Sequence, residues 1–137
     1  MTKNTNLLFA LVLFLSLSSF QAQASQPISV SLAECSTIFE VMSISAAEKG
    51  KPDKQIQRMR KGAEAFKNDA YKRASTEGRS DAKSFIDNKL IELNQKWTER
   101  WLTSSDMKAL SQMDETMEWV QYCAALGKER KILPIKE

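Results

Sequence analysis

Histidine is absent from this 137-residue chain. That removes the commonest general base, the commonest metal ligand and the usual charge switch near neutral pH. Haem and zinc sites built on histidine are excluded, and no Cys-x-x-Cys pair takes their place. There are only two cysteines, Cys35 and Cys123. No stretch alternates apolar and polar residues over a strand's length, so no sheet is expected. Net charge is small, +3, and informative only through its distribution.

Residues 1–24 have the form of a cleavable export signal. Lys3 supplies a positive start, Leu7 to Leu15 (LLFALVLFL) is unbroken apolar sequence, and Ala22-Gln23-Ala24 has the small-x-small pattern a signal peptidase needs. The apolar run is too short to cross a bilayer core of ~30 Å. Ser25, not cysteine, follows the expected cut, so no lipid attachment is expected there. Residues 25–127 are expected to form one helical domain and 128–137 a tail. No transmembrane segment is expected after the cut. The destination is then periplasmic or secreted, an oxidising setting in which two cysteines pair.

Four amphipathic helices follow in order. Leu32, Cys35, Phe39, Met42 and Ala46 recur in steps of three and four after Ser31-Leu32-Ala33-Glu34, which has the form of a capping box. Lys49-Gly50-Lys51-Pro52 ends this helix. Ile56, Met59, Ala63, Phe66, Ala70 and Ala74 mark the second, with Gly78 as its stop. Ala82, Ile86, Leu90, Leu93, Trp97 and Trp101 mark the third, after Ser80 as a cap. The fourth is expected from Asp106 to Leu126, capped within Thr103-Ser104-Ser105 and ended by Gly127, with Leu110, Met113, Met117, Val120 and Ala124 facing inward. The fold predicted is all-α, a small antiparallel up-down bundle of four helices. In that bundle the first helix starts and the last ends at one pole, so Cys35 and Cys123 come within the ~7 Å that a disulfide needs between Cα atoms.

Several residue groups are candidates for function. The second helix is basic: between Lys49 and Arg73 nine Lys/Arg face three acids, a net of +6. Lys54, Arg58, Lys61 and Lys72 lie outside its apolar stripe and suit an acidic protein or an anionic surface. Nucleic acid is not an expected partner, because no aromatic residues interleave for base stacking. Asp114 and Glu118 share a face of the fourth helix and are the carboxylates an enzyme reading would use. No cofactor and no metal is expected: bundle carboxylate sites draw on Glu-x-x-His, and Met113 and Met117 have the spacing of packing residues. Trp119 points about 140° away from its helix's expected inner stripe, and Tyr122 and Leu126 fall on the same outer side. This second apolar face has two candidate covers: the tail residues Ile132-Leu133-Pro134-Ile135, or a protein partner, a second copy included.

Together these features are similar to the profile of small periplasmic inhibitors, immunity proteins and envelope chaperones. The expected role is protein binding, not catalysis. Two alternatives stand beside it. One is an enzyme using Asp114 and Glu118, which needs both in a cleft. The other is a bundle holding an apolar ligand in a cavity lined by Phe39, Phe66 and Trp97.

Overall fold

The computed structural model describes residues 26–135; the expected export segment, residues 1–24, lies outside them. Among the described residues the chain is all-helical and contains no strand. These residues form five helices: α1 (Ile28–Glu48), α2 (Asp53–Thr76), α3 (Ala82–Thr98), α4 (Asp106–Ser111) and α5 (Met113–Glu129). A π-helical turn, Glu99–Thr103, continues α3. The expected fourth helix is therefore two helices. They part at Gln112, whose φ of −107° and ψ of 3° leave the helical region. Two stops are as expected: Gly50 (φ 62°) and Gly78 (φ 85°) take the left-handed conformation after α1 and α2. There the amides of Lys51 and Arg79 reach back to the carbonyls of Ala46 and Ala74. Ser105 caps α4 by accepting from the Lys108 amide at 3.4 Å.

α1 is the hub of the fold. It packs along α2 and against α3, α5 and the π-helical turn. α1 and α2 run antiparallel: Ser29 Oγ donates to Glu77 Oε2 at 2.6 Å near one end, and Ser36 Oγ donates to the Ala63 carbonyl at 2.7 Å further along. A helix with neighbours on several sides needs short side chains, and α1 supplies them. Ser29, Ser31, Ser36, Thr37, Ser43 and Ser45 are buried beside Leu32, Ala33, Cys35, Ile38 and Val41. An unsatisfied buried hydroxyl costs about 1–3 kcal/mol. Thr37 avoids that by donating to the Ala33 carbonyl at 3.1 Å, and Ser43 by donating to that of Glu40 at 2.7 Å.

This helix also begins earlier than its sequence suggests. Pro27 holds the N-cap position, and its carbonyl accepts from the amides of Val30 and Ser31. Ser31 and Glu34 are thus inside the helix, and the expected capping box does not form. α1 also has an 18-residue window apolar enough to cross a membrane by length and composition, with mean hydropathy 1.3. The expectation of no transmembrane segment after the cut does not anticipate a stretch this apolar. Since 72% of the window is buried within the fold, it serves as the core helix.

Cys35 and Cys123 are bonded, with Cα atoms 5.4 Å apart, and both are fully buried. The bridge joins α1 to α5 across 88 residues of sequence. Beyond it, α5 is tied to α2: Arg130 Nε and Nη2 donate to the two oxygens of Asp69 at 2.8 and 3.1 Å.

α5 does not stop at Gly127. It runs on to Glu129, and Lys131, with φ 58°, is the residue that takes the left-handed turn. Gly127 serves close approach instead. The amides of Ile132 and Leu133 both bond its carbonyl, at 2.8 and 3.0 Å, and the tail folds back over it. A Cβ there would lie 2.7 Å from Leu133 Cγ and 3.0 Å from Phe66 Cζ. Gly127→Ala gains ~1 kcal/mol of helix propensity but overpacks this seat at a cost of ~1–3 kcal/mol. The expected outcome is a melting temperature lowered by a few degrees, with faster hydrogen exchange at the Ile132 and Leu133 amides. Unchanged exchange at those two amides would mean that the seat is loose.

Candidate functional site

The rotation of α5 decides which residues are available. Trp119 and Leu126 are each only 5% exposed, and Tyr122 is half-buried. The outward-facing patch expected from these three is therefore part of the core. The cause is covalent. Trp119, Cys123, Leu126 and Gly127 share one helical face, and the bond to the buried Cys35 turns that face toward α1. The indole of Trp119 then packs edge-on against Trp97, with centroids 6.4 Å apart, and against Tyr122, at 5.5 Å.

The opposite side of the same segment is consequently exposed. Leu110, Met113 and Met117, expected to face inward, are 62%, 50% and 49% exposed, and Met107 is 80% exposed. Val120 and Ala124 are half-buried at the margin. Among the described residues the other exposed large apolar side chains are Ile44 and Ile91, on α1 and α3. Most of the exposed apolar surface is thus gathered on α4 and α5. Asp106, Asp114, Glu115 and Glu118 are exposed along it, against Lys108.

A polar and aromatic cluster fixes this face in place. Glu34 is 2% exposed. Its Oε1 accepts from Lys96 Nζ at 2.7 Å and from Trp97 Nε1 at 3.0 Å. The Lys96 ammonium also stands 5.6 Å from the ring centre of Trp119. Arg100, on the π-helical turn, sits 4.9 Å over the Trp97 ring and pairs with Glu115 of α5 at 3.1 Å. The widened turn thus brings an arginine under α5, joining α1, α3 and α5 through charge as well as packing. The sequence reading missed Glu34, Lys96 and Arg100. The available signal was Pro27, which as N-cap puts Glu34 well inside α1, one residue from the half-cystine.

The basic face of α2 is exposed as expected at Lys54, Arg58, Lys61 and Lys72. None of the exposed large apolar residues lies on α2, so this surface offers charge without an apolar anchor. Asp114 and Glu118 are both exposed. The enzyme reading needed them in a cleft, and that condition is not met. Among the described residues no three or more His, Cys, Asp or Glu side chains come together as a set that could hold a metal ion. Phe39 and Phe66 pack on each other with ring centres 5.3 Å apart, and Trp97 packs edge-on against Trp119.

Two shallow grooves lie on the described surface. One, of about 360 Å³, lies between α1, α2 and α3 beside Ser36, Thr37, Glu40 and Ile91. Its buried hydroxyls already bond main-chain carbonyls. The other, of about 290 Å³, is lined by Tyr71, Ser75, Ala82 and Lys83. There the Tyr71 hydroxyl donates to Asp87 Oδ1 at 2.5 Å. That bond, then burial and the Asp87 charge, pushes the phenol from its ordinary 10.0 up to about 12. Asp87 is held below the usual carboxylate range, first by Lys83 Nζ at 2.6 Å and next by Tyr71. A raised tyrosine gives stability that is whole below the unfolded value and is lost as pH climbs through the folded one. Ultraviolet titration should therefore show one of the two tyrosines ionising late, near pH 12. Tyr71→Phe should remove that late phase; if the late phase survives, the Tyr71–Asp87 bond does not hold in solution.

Compared with known proteins, no family model, no curated protein and no solved structure gives a significant match to this chain.

Proposed function

We propose that this is a small exported protein of the periplasm that acts by binding another protein, as an inhibitor, immunity protein or envelope chaperone does. The α4–α5 face is its working surface. Support for export comes from the apolar Leu7–Leu15 run, the Ala22-Gln23-Ala24 motif and the disulfide. The observation that carries the binding role is the exposure of Met107, Leu110, Met113 and Met117 within one short segment. Gathered apolar exposure on a small domain marks an interaction surface, and methionine adapts its shape to what it meets. The partner surface expected around Trp119, Tyr122 and Leu126 moves to the other side of the same helix.

The reading is tested by site-specific crosslinking. Photoactivatable methionine, incorporated in the producing cells, should join the protein to a discrete partner through Met107, Met113 or Met117. Leu110→Gln/Met113→Gln/Met117→Gln should lose that product while keeping its helicity and melting temperature within a few degrees. Crosslinks that map to α2, or that are the same in the variant, would overturn the assignment.

A further inference from the structure

The exposed methionine face carries a charge pattern that defines its occupant. Met113 and Met117 are four residues apart and form a row along α5. Asp114 and Glu118, each one residue further on, form a parallel row turned by ~100° around the helix. Asp106 lies one residue before Met107 on α4, turned the other way around its helix. Glu115 is committed to Arg100, whereas neither Asp114 nor Glu118 has an ion-pair partner among the described residues. An apolar stripe is thus bordered by unspent negative charge.

We infer that the α4–α5 face binds a basic amphipathic helical segment of its partner, with apolar side chains lying on Met107, Leu110, Met113 and Met117 and lysines or arginines meeting Asp114 and Glu118. This rests on the binding role proposed above and adds the chemistry of the ligand. Three other occupants fit less well. A second copy docked stripe to stripe would bring the two acidic rows together, and like charges at an interface disfavour that pairing. A second copy docked through its basic α2 face would match the charge but bring no exposed large apolar residue to fill the stripe. An anionic membrane would accept the methionines but be repelled by the acids beside them. An amphipathic helix with basic flanks satisfies both rows at once, because anchors at steps of three and four fill an apolar stripe and leave the flanks free for charge.

The test uses the disulfide-bonded protein and two fluorescein-labelled helical peptides, read by anisotropy. One alternates leucine and lysine at amphipathic spacing; the other has glutamate at every lysine position. The lysine peptide is expected to bind, with affinity falling as salt rises, and the glutamate peptide to bind at least ~10-fold more weakly. Met113→Gln/Met117→Gln should weaken the lysine peptide by ~10-fold or more. Asp114→Asn/Glu118→Gln should weaken it and flatten its salt dependence. All four positions are exposed, and a helical melt close to that of the parent protein confirms that each variant is folded. Equal binding of the two peptides, or binding unchanged by both double variants, overturns the inference. Failure of the lysine peptide while methionine crosslinks to a cellular protein persist overturns the partner's chemistry alone. Failure of both removes the α4–α5 face as a binding surface.

Discussion

Trp119→Ala should lower the melting temperature by roughly 15 °C or more. Truncating a buried tryptophan costs about 3–5 kcal/mol, the lost transfer energy together with the cavity left behind. A small domain has only about 5–15 kcal/mol in total, and at this size each kcal/mol shifts the melting point by several degrees. Trp119 is 5% exposed and stands edge-on to both Trp97 and Tyr122. Its removal opens the centre of the aromatic cluster and strips the Lys96–Glu34 pair of the ring beside it. The near-ultraviolet circular dichroism should fall with the melting point. Met113→Ala on the opposite side of α5 is the control: a half-exposed side chain has little burial to lose, and surface changes usually stay within ~0.5 kcal/mol. If the two variants melt alike, α5 is rotated in solution from the orientation described here.

That contrast also shows where the sequence could be read and where it could not. α2 and α3 follow their patterns: Ile56, Ala63, Phe66, Ala70 and Ala74 are buried, as are Ala82, Ile86, Leu93 and Trp97. Each of these helices has one apolar stripe, so periodicity has one answer. The segment from Asp106 to Leu126 has two. Counting apolar residues selects Leu110, Met113, Met117, Val120 and Ala124; Leu110, Met113 and Met117 turn outward instead, while Val120 packs at the edge of the core. What breaks the tie is Cys123, because a half-cystine must face its partner and takes its helical neighbours with it. The residues on its face, Trp119 and Leu126, were therefore identifiable as core from the same disulfide that was inferred correctly.

Other differences have local causes. The separation of α4 from α5 falls at Gln112, where neither glycine nor proline gives a warning. The π-helical turn at Glu99–Thr103 leaves no compositional trace. Val41 and Ile44 fall off the main stripe of α1, which points to neighbours on more than one side, and Val41 is fully buried; how central the helix is stays hidden because serine counts as polar in a periodicity reading. In a helix with several close neighbours its small side chain packs well, and its hydroxyl is satisfied by nearby carbonyls and carboxylates. Glu34 was hidden by a motif: Ser-x-x-Glu suggests a cap only if the helix starts there, and Pro27 starts it earlier.

Replacing Cys35 and Cys123 together with alanine should release α5 before it unfolds the rest. In the chain-entropy account, a bridge closing 88 residues restricts the unfolded chain by about 4.5 kcal/mol, though observed values run from ~0 to 5. The loss should not be shared evenly. α2 packs along α1 for much of its length and α3 along a good part of it, whereas α5 meets α1 over a short stretch around the bridge. What then still holds α5 is Arg130 on Asp69, Leu133 on Gly127 and Phe66, Arg100 on Glu115 and the edges of the Trp119 ring. Two of these are ion pairs with a partly exposed partner, worth ~1 kcal/mol or less each. Alanine is the right replacement, since serine would add a hydroxyl to two fully buried sites. Hydrogen exchange followed by mass spectrometry should show protection lost first in α4, α5 and the tail, with α1 and α2 still protected. The overall melting point should fall by 10 °C or so, for a loss of ~2–4 kcal/mol. The α4–α5 face should fail as a binding surface at the same time, because the methionines stay outward only while Cys123 is held inward. If the doubly substituted protein keeps protection in α5, then packing alone sets the helix's rotation.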